Sequence, residues 1–217
     1  GHDGYETLFA GLCKDVIVAG NGDDLTNGNQ GNDMIWGGEG NDIINGGKDT
    51  DVLVGDNGNY QGGGNDTLYG DLGQDFVFGE NGNDDIFNYP YEYARGGYGN
   101  DRYIIEPRIE TSDMAVVVID NLEDGNGDNE IIIDKSYTLV DSGVVRQDFL
   151  NWVRLDFQKN GKSLQVWILG NPGTLYFGQI DMVSRDLDID GDNVFDNVML
   201  PVINNQINLN PIPVPTL

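Results

Sequence analysis

Carboxylates return in this chain on a clock of nine residues. Asp15, Asp24, Asp33, Asp42 and Asp51 follow one another at that interval, and Asp66, Asp75, Asp84 and Asp101 resume it after a longer gap. Glu6 stands one step earlier in the same register. Acid–base catalysis needs two carboxyls set apart by their surroundings, and nothing singles out such a pair here. His2 is the only histidine and Cys13 the only cysteine. A nucleophile–base arrangement and a zinc site therefore lack their residues, and the chain is expected to have no enzymatic activity of its own. A row of oxygen donors suits calcium, which takes roughly six to eight oxygens at loose geometry, where magnesium demands a strict octahedron.

The elements that must position these residues follow from the intervening ones. Blocks begin at Gly1, Ala10, Ala19, Gly28, Gly37 and Gly46, then at Gly55, where the block is lengthened to Tyr69, and again at Gly70 and Gly79. The stretch 88–95, "NYPYEYAR", reads as a second insertion before a last block, "GGYGNDRYI", at 96–104. The acid is the sixth residue of each block. The eighth is Leu8, Ile17, Thr26, Ile35, Ile44, Leu53, Leu68, Val77, Ile86 and Tyr103. Glycine permits tight turns and strand side chains alternate. Each block thus reads as a Gly-rich turn and a three-residue strand whose eighth position faces a thin core. Two blocks make one coil, with odd and even strands in two parallel sheets. One edge then stacks Glu6, Asp24, Asp42, Asp66 and Asp84, the other Asp15, Asp33, Asp51, Asp75 and Asp101. Tyr60 occupies the place of an Asp in the lengthened block, a potential interruption of one edge. Carboxylates stacked at about 4.8 Å repel unless a cation lies between them.

The pattern resembles the RTX family of hemolysin-type calcium-binding nonapeptide repeats, G-G-x-G-x-D-x-U-x. The resemblance implies an all-β fold, a parallel β-roll with several calcium ions, about eight, between consecutive turns. It implies as ligands the carboxylates of Asp15, Asp24, Asp33, Asp42, Asp51, Asp66, Asp75, Asp84 and Asp101. It adds the turn carbonyls of Gly28, Gly31, Gly37, Gly38, Gly40, Gly46, Gly47, Gly70, Gly73, Gly79 and Gly82, with Glu6 as a weaker candidate.

A net charge of −26 disfavours nucleic acid and anionic membranes as partners. With one cysteine no internal disulfide can form. No stretch reaches the roughly 18 apolar residues of a membrane-spanning helix. No basic-plus-apolar leader opens the chain; Gly1 already lies in the repeat register, so the chain reads as a piece of something longer. Calcium dependence points to a secreted or cell-surface protein that folds on meeting calcium. A structural or adhesive subunit of a calcium-dependent assembly is the alternative.

The two outer faces differ. Val16, Val18, Met34, Trp36, Val52, Val54, Phe76, Phe78 and Arg102/Ile104 fall on the even sheet, making a nearly continuous apolar face expected to be covered by the C-terminal half or by another subunit. Thr7/Phe9, Leu25/Asn27, Ile43/Asn45, Thr67/Tyr69 and Asp85/Phe87 make a mixed face on the odd sheet.

The division expected is a roll over 1–104, a β-rich cap over 105–205 and a proline-rich extended tail over 206–217 without pairing signal. Strands are expected at "MAVVVID", "EIIID", "VRLDF", "LQVWIL" and "TLYFGQIDMV", a hairpin turn at "QKNGKS", and one short helix at "VVRQDFLNWV". The acidic loop 186–197 has the opening of an EF-hand-like loop without its final Glu. Asp186, Asp188, Asp190, Asp192 and Asp196 are further metal candidates, as are Asp124, Asn126 and Asp128 in a weaker loop.

Overall fold

Alternation in short strands separated by glycine turns produces two sheets facing one another across a single column of side chains. A computed structural model describes residues 3–57, 63–105, 114–121, 129–147, 150–170, 175–180, 182–187, 196–201 and 210–211. The odd strands are β1 (Thr7–Phe9), β3 (Leu25–Asn27), β5 (Ile43–Lys48), β7 (Thr67–Leu72), β9 (Asp85–Asn88) and β11 (Arg102–Ile105). The even strands are β2 (Val16–Asn21), β4 (Met34–Glu39), β6 (Val52–Asp56), β8 (Phe76–Asn81) and β10 (Tyr93–Tyr98). Within each sheet they pair in parallel, in strict order, with eighth residues in register: Ile17 with Ile35, Ile35 with Leu53, Ile44 with Leu68. Several strands are longer than three residues, running on through the glycine pair of the next block, as β4 does through Gly37 and Gly38. The parallel two-sheet roll read from the repeat is the observed fold.

The eighth residues form one continuous core. Ile35, Ile44, Leu53, Leu68, Val77, Ile86 and Tyr103 are fully buried and packed together. Burial of such a side chain contributes roughly 1.5–3 kcal/mol relative to exposure. Each coil, with two of them, therefore has a thin apolar ledger for its many ordered glycines.

Both sheets continue beyond the repeats. The odd sheet adds β13 (Asn129–Asp134) beside β11, then β17 (Leu175–Ile180), both parallel. The even sheet adds β12 (Met114–Asn121) and β16 (Lys162–Gly170), parallel, and then β15 (Leu150–Lys159) and β14 (Thr138–Gln147), antiparallel. Val117, Ile119, Ile131, Ile133, Val153, Leu155, Phe157, Leu164, Val166 and Ile168 extend the same core. The expected hairpin at "QKNGKS" forms, with Lys159 opposite Lys162 and positive φ at Asn160 (53°) and Gly161 (78°).

Four expectations are corrected. First, 88–95 is not an insertion: its last residues enter β10, a full even rung pairing with β8 and β12. That shifts Asp101, Arg102 and Ile104 from the even sheet to the odd one, where Arg102 lies opposite Asp85 and Ile104 opposite Phe87. Second, the helix at 144–153 is absent; those residues belong to β14 and β15, with Val145 opposite Trp152 and Val144 opposite Val153. The strand alternation that decides this lies downstream, where Val153, Leu155 and Phe157 are buried between half-buried Trp152, Arg154 and Asp156. Third, the tail contributes a pairing: β20 (Asn210–Pro211) lies antiparallel to β17. Fourth, the odd outer face is not simply mixed, because Phe87, Tyr89, Ile104 and Ile132 form a small second core with Tyr69, whose ring stacks on Phe87 at 4.4 Å.

β12, β16, β15 and β14 extend the even sheet edge to edge rather than lying over its outer face. Val16, Val18 and Phe76 stay exposed, with Phe76 46% accessible, while Met34, Trp36, Val52, Val54 and Phe78 are half-buried. Coverage by the C-terminal half is thus not seen among the described residues. No helix among them is long and apolar enough to cross a membrane.

Candidate metal centre

Every position-6 residue sits where a turn enters its strand, and parallel stacking sets these residues in columns. On the odd edge, the backbone N–H of Glu6 donates to Asp24 Oδ1 at 2.7 Å, Asp24 to Asp42 at 2.7 Å, Asp42 to Asp66 at 2.8 Å, Asp66 to Asp84 at 2.8 Å and Asp84 to Asp101 at 3.0 Å. Asp101 N–H donates in turn to Asn129 Oδ1 at 2.6 Å, so this column ends on a neutral amide. On the even edge, Asp15 N–H donates to Asp33 at 2.8 Å, Asp33 to Asp51 at 2.7 Å and Asp51 to Asp75 at 2.8 Å. The lengthened block leaves the odd column unbroken, because Asp66 takes the step after Asp42; Tyr60 lies outside the described residues. Asp101 belongs to the odd column rather than the even one, as the extra rung requires.

Each carboxylate uses one oxygen in this ladder. The other, Oδ2 of Asp24, Asp33, Asp42, Asp51, Asp66, Asp75 and Asp84, is buried without a hydrogen-bond partner. From Asp33 to Asp84 it faces the first glycine of its own block, whereas the block of Asp24 begins with Ala19. An atom placed as a Cβ on Gly28 would lie 2.5 Å from Asp33 Oδ2 and 2.5 Å from the Gly46 carbonyl oxygen. On Gly46 the distances are 2.7 Å to Asp51 Oδ2 and 2.9 Å to Gly70 O. Gly37, Gly55 and Gly79 repeat the arrangement with the carbonyls of Gly55, Gly79 and Gly96. Each glycine thus leaves open a cradle lined by a carboxylate oxygen and a carbonyl oxygen. The carbonyls of Gly55 and Gly96 were missed in reading the sequence, although both glycines are first in their blocks. The carbonyls of Gly22, Gly40, Gly64 and Gly82 point instead at the fourth-position glycine of the next coil.

The fit to calcium is good. The donors are all oxygen, part carboxylate and part carbonyl, the set that calcium takes. Among the described residues no three acidic, histidine or cysteine side chains converge on one point. Backbone oxygens must therefore complete each coordination shell.

Burial makes the charge expensive. It pushes the carboxyls of Asp42 and Asp75 up to about 7, those of Asp51 and Asp84 to about 8 and that of Asp66 to about 9, with the neighbouring carboxylates adding to the rise. Asp33 is raised by burial too. Sequence reading also missed Asp56, buried and pushed up to about 6, which accepts N–H bonds from Gly64 at 3.2 Å and Asn81 at 2.9 Å. It missed Glu92, the sixth residue of the rung taken for an insertion. Burial raises Glu92 well above the usual carboxyl range, and Asp75 and Asp71 add to it. The spacing acid–Tyr93–Ala94 ahead of Gly96–Gly97 was its only signal.

A second ladder runs outside the first. Asn41 N–H donates to Asp23 Oδ1, Asn65 to Asn41 and Asn100 to Asn83, each at 2.8 Å, and Asn83 to Asn65 at 2.7 Å. Its donors point from later coil to earlier, opposite to the carboxylate ladder, so consecutive turns are tied in both directions.

The other candidates fare differently. Glu6 joins the odd column, and Asp15 the even one. Asp186 lies in β18 (Met182–Leu187) opposite Asn197 of β19 (Asp196–Pro201), and Asp196 lies opposite Leu187. Asp124, Asn126, Asp128, Asp188, Asp190 and Asp192 lie outside the described residues.

None of the curated proteins compared with the chain matches it. A family profile does, that of the RTX calcium-binding nonapeptide repeat (4 copies), over residues 1–26, 27–61 and 60–88. This is a structural calcium-binding repeat, and the stacked carboxylates and open glycine cradles lie largely within the matched residues. Residues 1–88 of this chain match the RTX calcium-binding nonapeptide repeat, and that match indicates calcium binding in the β-roll they form.

Proposed function

We propose that the chain is an extracellular module whose folding is coupled to calcium. The observation that supports this most is the row of buried Oδ2 atoms without partners, those of Asp33, Asp42, Asp51, Asp66 and Asp84 each beside a glycine cradle and a turn carbonyl. The position-6 carboxylates of Asp15, Asp24, Asp33, Asp42, Asp51, Asp66, Asp75, Asp84 and Asp101 are the side-chain ligands in this reading, with Glu6 weaker. The first-position glycines supply carbonyls. Bound calcium supplies the positive charge that lets neighbouring carboxylates ionise together. Oδ1 of each Asp holds the coil spacing through the backbone ladder, and Oδ2 is left for the cation. Without a cation, repulsion and glycine entropy oppose stacking. Millimolar calcium outside a cell favours the stacked state by mass action. Strands after residue 105 act as the cap of the roll, since they continue both sheets and bury the open end of the core.

Isothermal titration of the calcium-free chain tests the ligand assignment. Several ions, on the order of eight, should bind with release of protons from the buried carboxyls. Binding of one ion or none would reject it.

A second reading is supported by the exposed even face. Val16, Val18 and Phe76, with half-buried Trp36 and Phe78, suit contact with a second copy of the chain in a structural or adhesive assembly. Multimers that appear in light scattering only with calcium favour that reading; a calcium-folded monomer favours the stand-alone module.

A further inference from the structure

The even edge changes its wiring at one rung. Before β10 the Gly-rich turn is replaced by Asn88, Tyr89, Pro90, Tyr91 and Glu92, with no glycine among them. The regular cradle at Gly46 is closed by Asp51 Oδ2 and by the carbonyl of Gly70, the first-position glycine of the next coil on that edge. The cradle at Gly70 has no such glycine above it. An atom at the Cβ position of Gly70 would lie 2.9 Å from Asp75 Oδ2 and 2.5 Å from Glu92 Oε1. A side-chain oxygen thus stands where the repeat elsewhere places a carbonyl.

Glu92 is fixed in that place by its own turn. Its Oε2 accepts the Tyr89 N–H at 2.8 Å. Tyr91, at φ 78°, turns the chain and donates its N–H to Val116 O at 2.6 Å. Glu92 and Asp75 are each 1% exposed; no N–H or hydroxyl reaches Glu92 Oε1 or Asp75 Oδ2, and without a cation the two carboxyls have only each other as side-chain partners, which takes a proton between them. Two ionised carboxylates buried side by side without a counter-charge cost several kcal/mol each. A cation between them removes that cost and uses the space that the missing side chain of Gly70 leaves.

The geometry points to a calcium site at Gly70, Asp75 and Glu92 in which the Glu92 carboxylate replaces the turn carbonyl of the regular repeat. This rests on the calcium reading of the roll and adds Glu92, a ligand that the nonapeptide pattern does not supply, to the cradle of Gly70 and Asp75. It also follows that this cradle carries two carboxylates where its neighbours show one. Ligand charge raises calcium affinity, so this site fills first on titration and empties last under chelator. It sits on the rung where the regular repeats pass into β12, and so it links calcium in the roll to the order of the strands beyond.

Two measurements on the full chain test it. Calcium titration by calorimetry should show one fewer ion bound by Glu92→Gln than by the parent chain, with loss of the tightest class; Glu92→Asp should recover part of it. Equal stoichiometry and affinity in Glu92→Gln would overturn the site while leaving calcium binding by the repeats intact. Anomalous diffraction from terbium-loaded crystals of the unsubstituted chain needs no variant to fold. A terbium peak between Asp75 and Glu92 supports the assignment. Peaks at the regular cradles but not there overturn it alone, whereas no peak at any cradle overturns the calcium reading as well.

Discussion

Asp66 Oδ1 accepts the backbone N–H of Asp42 at 2.8 Å, while Asp66 Oδ2, on the same carboxyl carbon, is buried with no partner. One oxygen of the same carboxylate is spent on the backbone and the other is free for a ligand. Asp66→Asn separates the two roles, since the amide oxygen can still accept the N–H while the charge is lost. The variant should bind less calcium, and its folding midpoint should move to about tenfold higher calcium, the equivalent of ~1.4 kcal/mol. Circular dichroism during calcium titration reads this, and an unchanged midpoint would contradict it.

The glycines of one turn are expected to fail differently. Gly46 has an ordinary backbone angle, and a methyl group there would stand 2.7 Å from Asp51 Oδ2 and 2.9 Å from Gly70 O, inside the cradle. Gly47 has a φ of +105°, and its Cβ would strike the backbone of Asn29. Gly46→Ala should weaken mainly the calcium-bound form. Gly47→Ala should destabilise the chain with or without calcium, by about 1–2 kcal/mol or more from the left-handed backbone alone. Urea melts of both variants, with calcium and with chelator at acid pH, distinguish the two.

Acid should stand in for calcium. Burial lifts Asp42 and Asp75 from 3.8 to about 7, Asp51 and Asp84 to about 8 and Asp66 to about 9. The folded, metal-free roll therefore holds protons that the unfolded chain releases near pH 4. Its stability is greatest below that pH and falls as pH rises through about 7 to 9. In chelator, strand content should be present at low pH and lost on neutralisation. Greater metal-free stability at neutral than at acid pH would reverse the sign and contradict the account.

Much of this was legible because it is periodic. The alternation that buries Ile35, Ile44, Leu53 and Leu68 and the register that stacks Asp24 on Asp42 are both written in a nine-residue clock. The rung at β10 was not, because its turn contains no glycine and its core residue is Ala94, too small to mark a strand. That one missed rung carried Asp101 to the wrong edge. The asparagine ladder was visible as Asn41, Asn65, Asn83 and Asn100, but its role depends on backbone donors one coil away, which a sequence does not display. Past residue 105 no period remains, and a ten-residue window at 144–153 fits helical spacing until the alternation of Val153, Leu155 and Phe157 is followed further.

The thin core makes single side chains matter. Ile44 is fully buried at the centre of the roll. Ile44→Ala should cost roughly 2–5 kcal/mol, raising the calcium needed for folding far more than substitution of exposed Ile43 on the same strand. A calcium-folding titration of both variants gives the comparison, and equal effects would contradict the placement of the core.

The central claim is that calcium, not the apolar core, decides whether the roll is folded at neutral pH. Far-ultraviolet circular dichroism of the full chain at neutral pH tests it most directly, first in millimolar calcium and then after excess chelator. Strong strand signal is expected with calcium, lost on chelation and restored when calcium is returned. Strand content unchanged by chelator would contradict it.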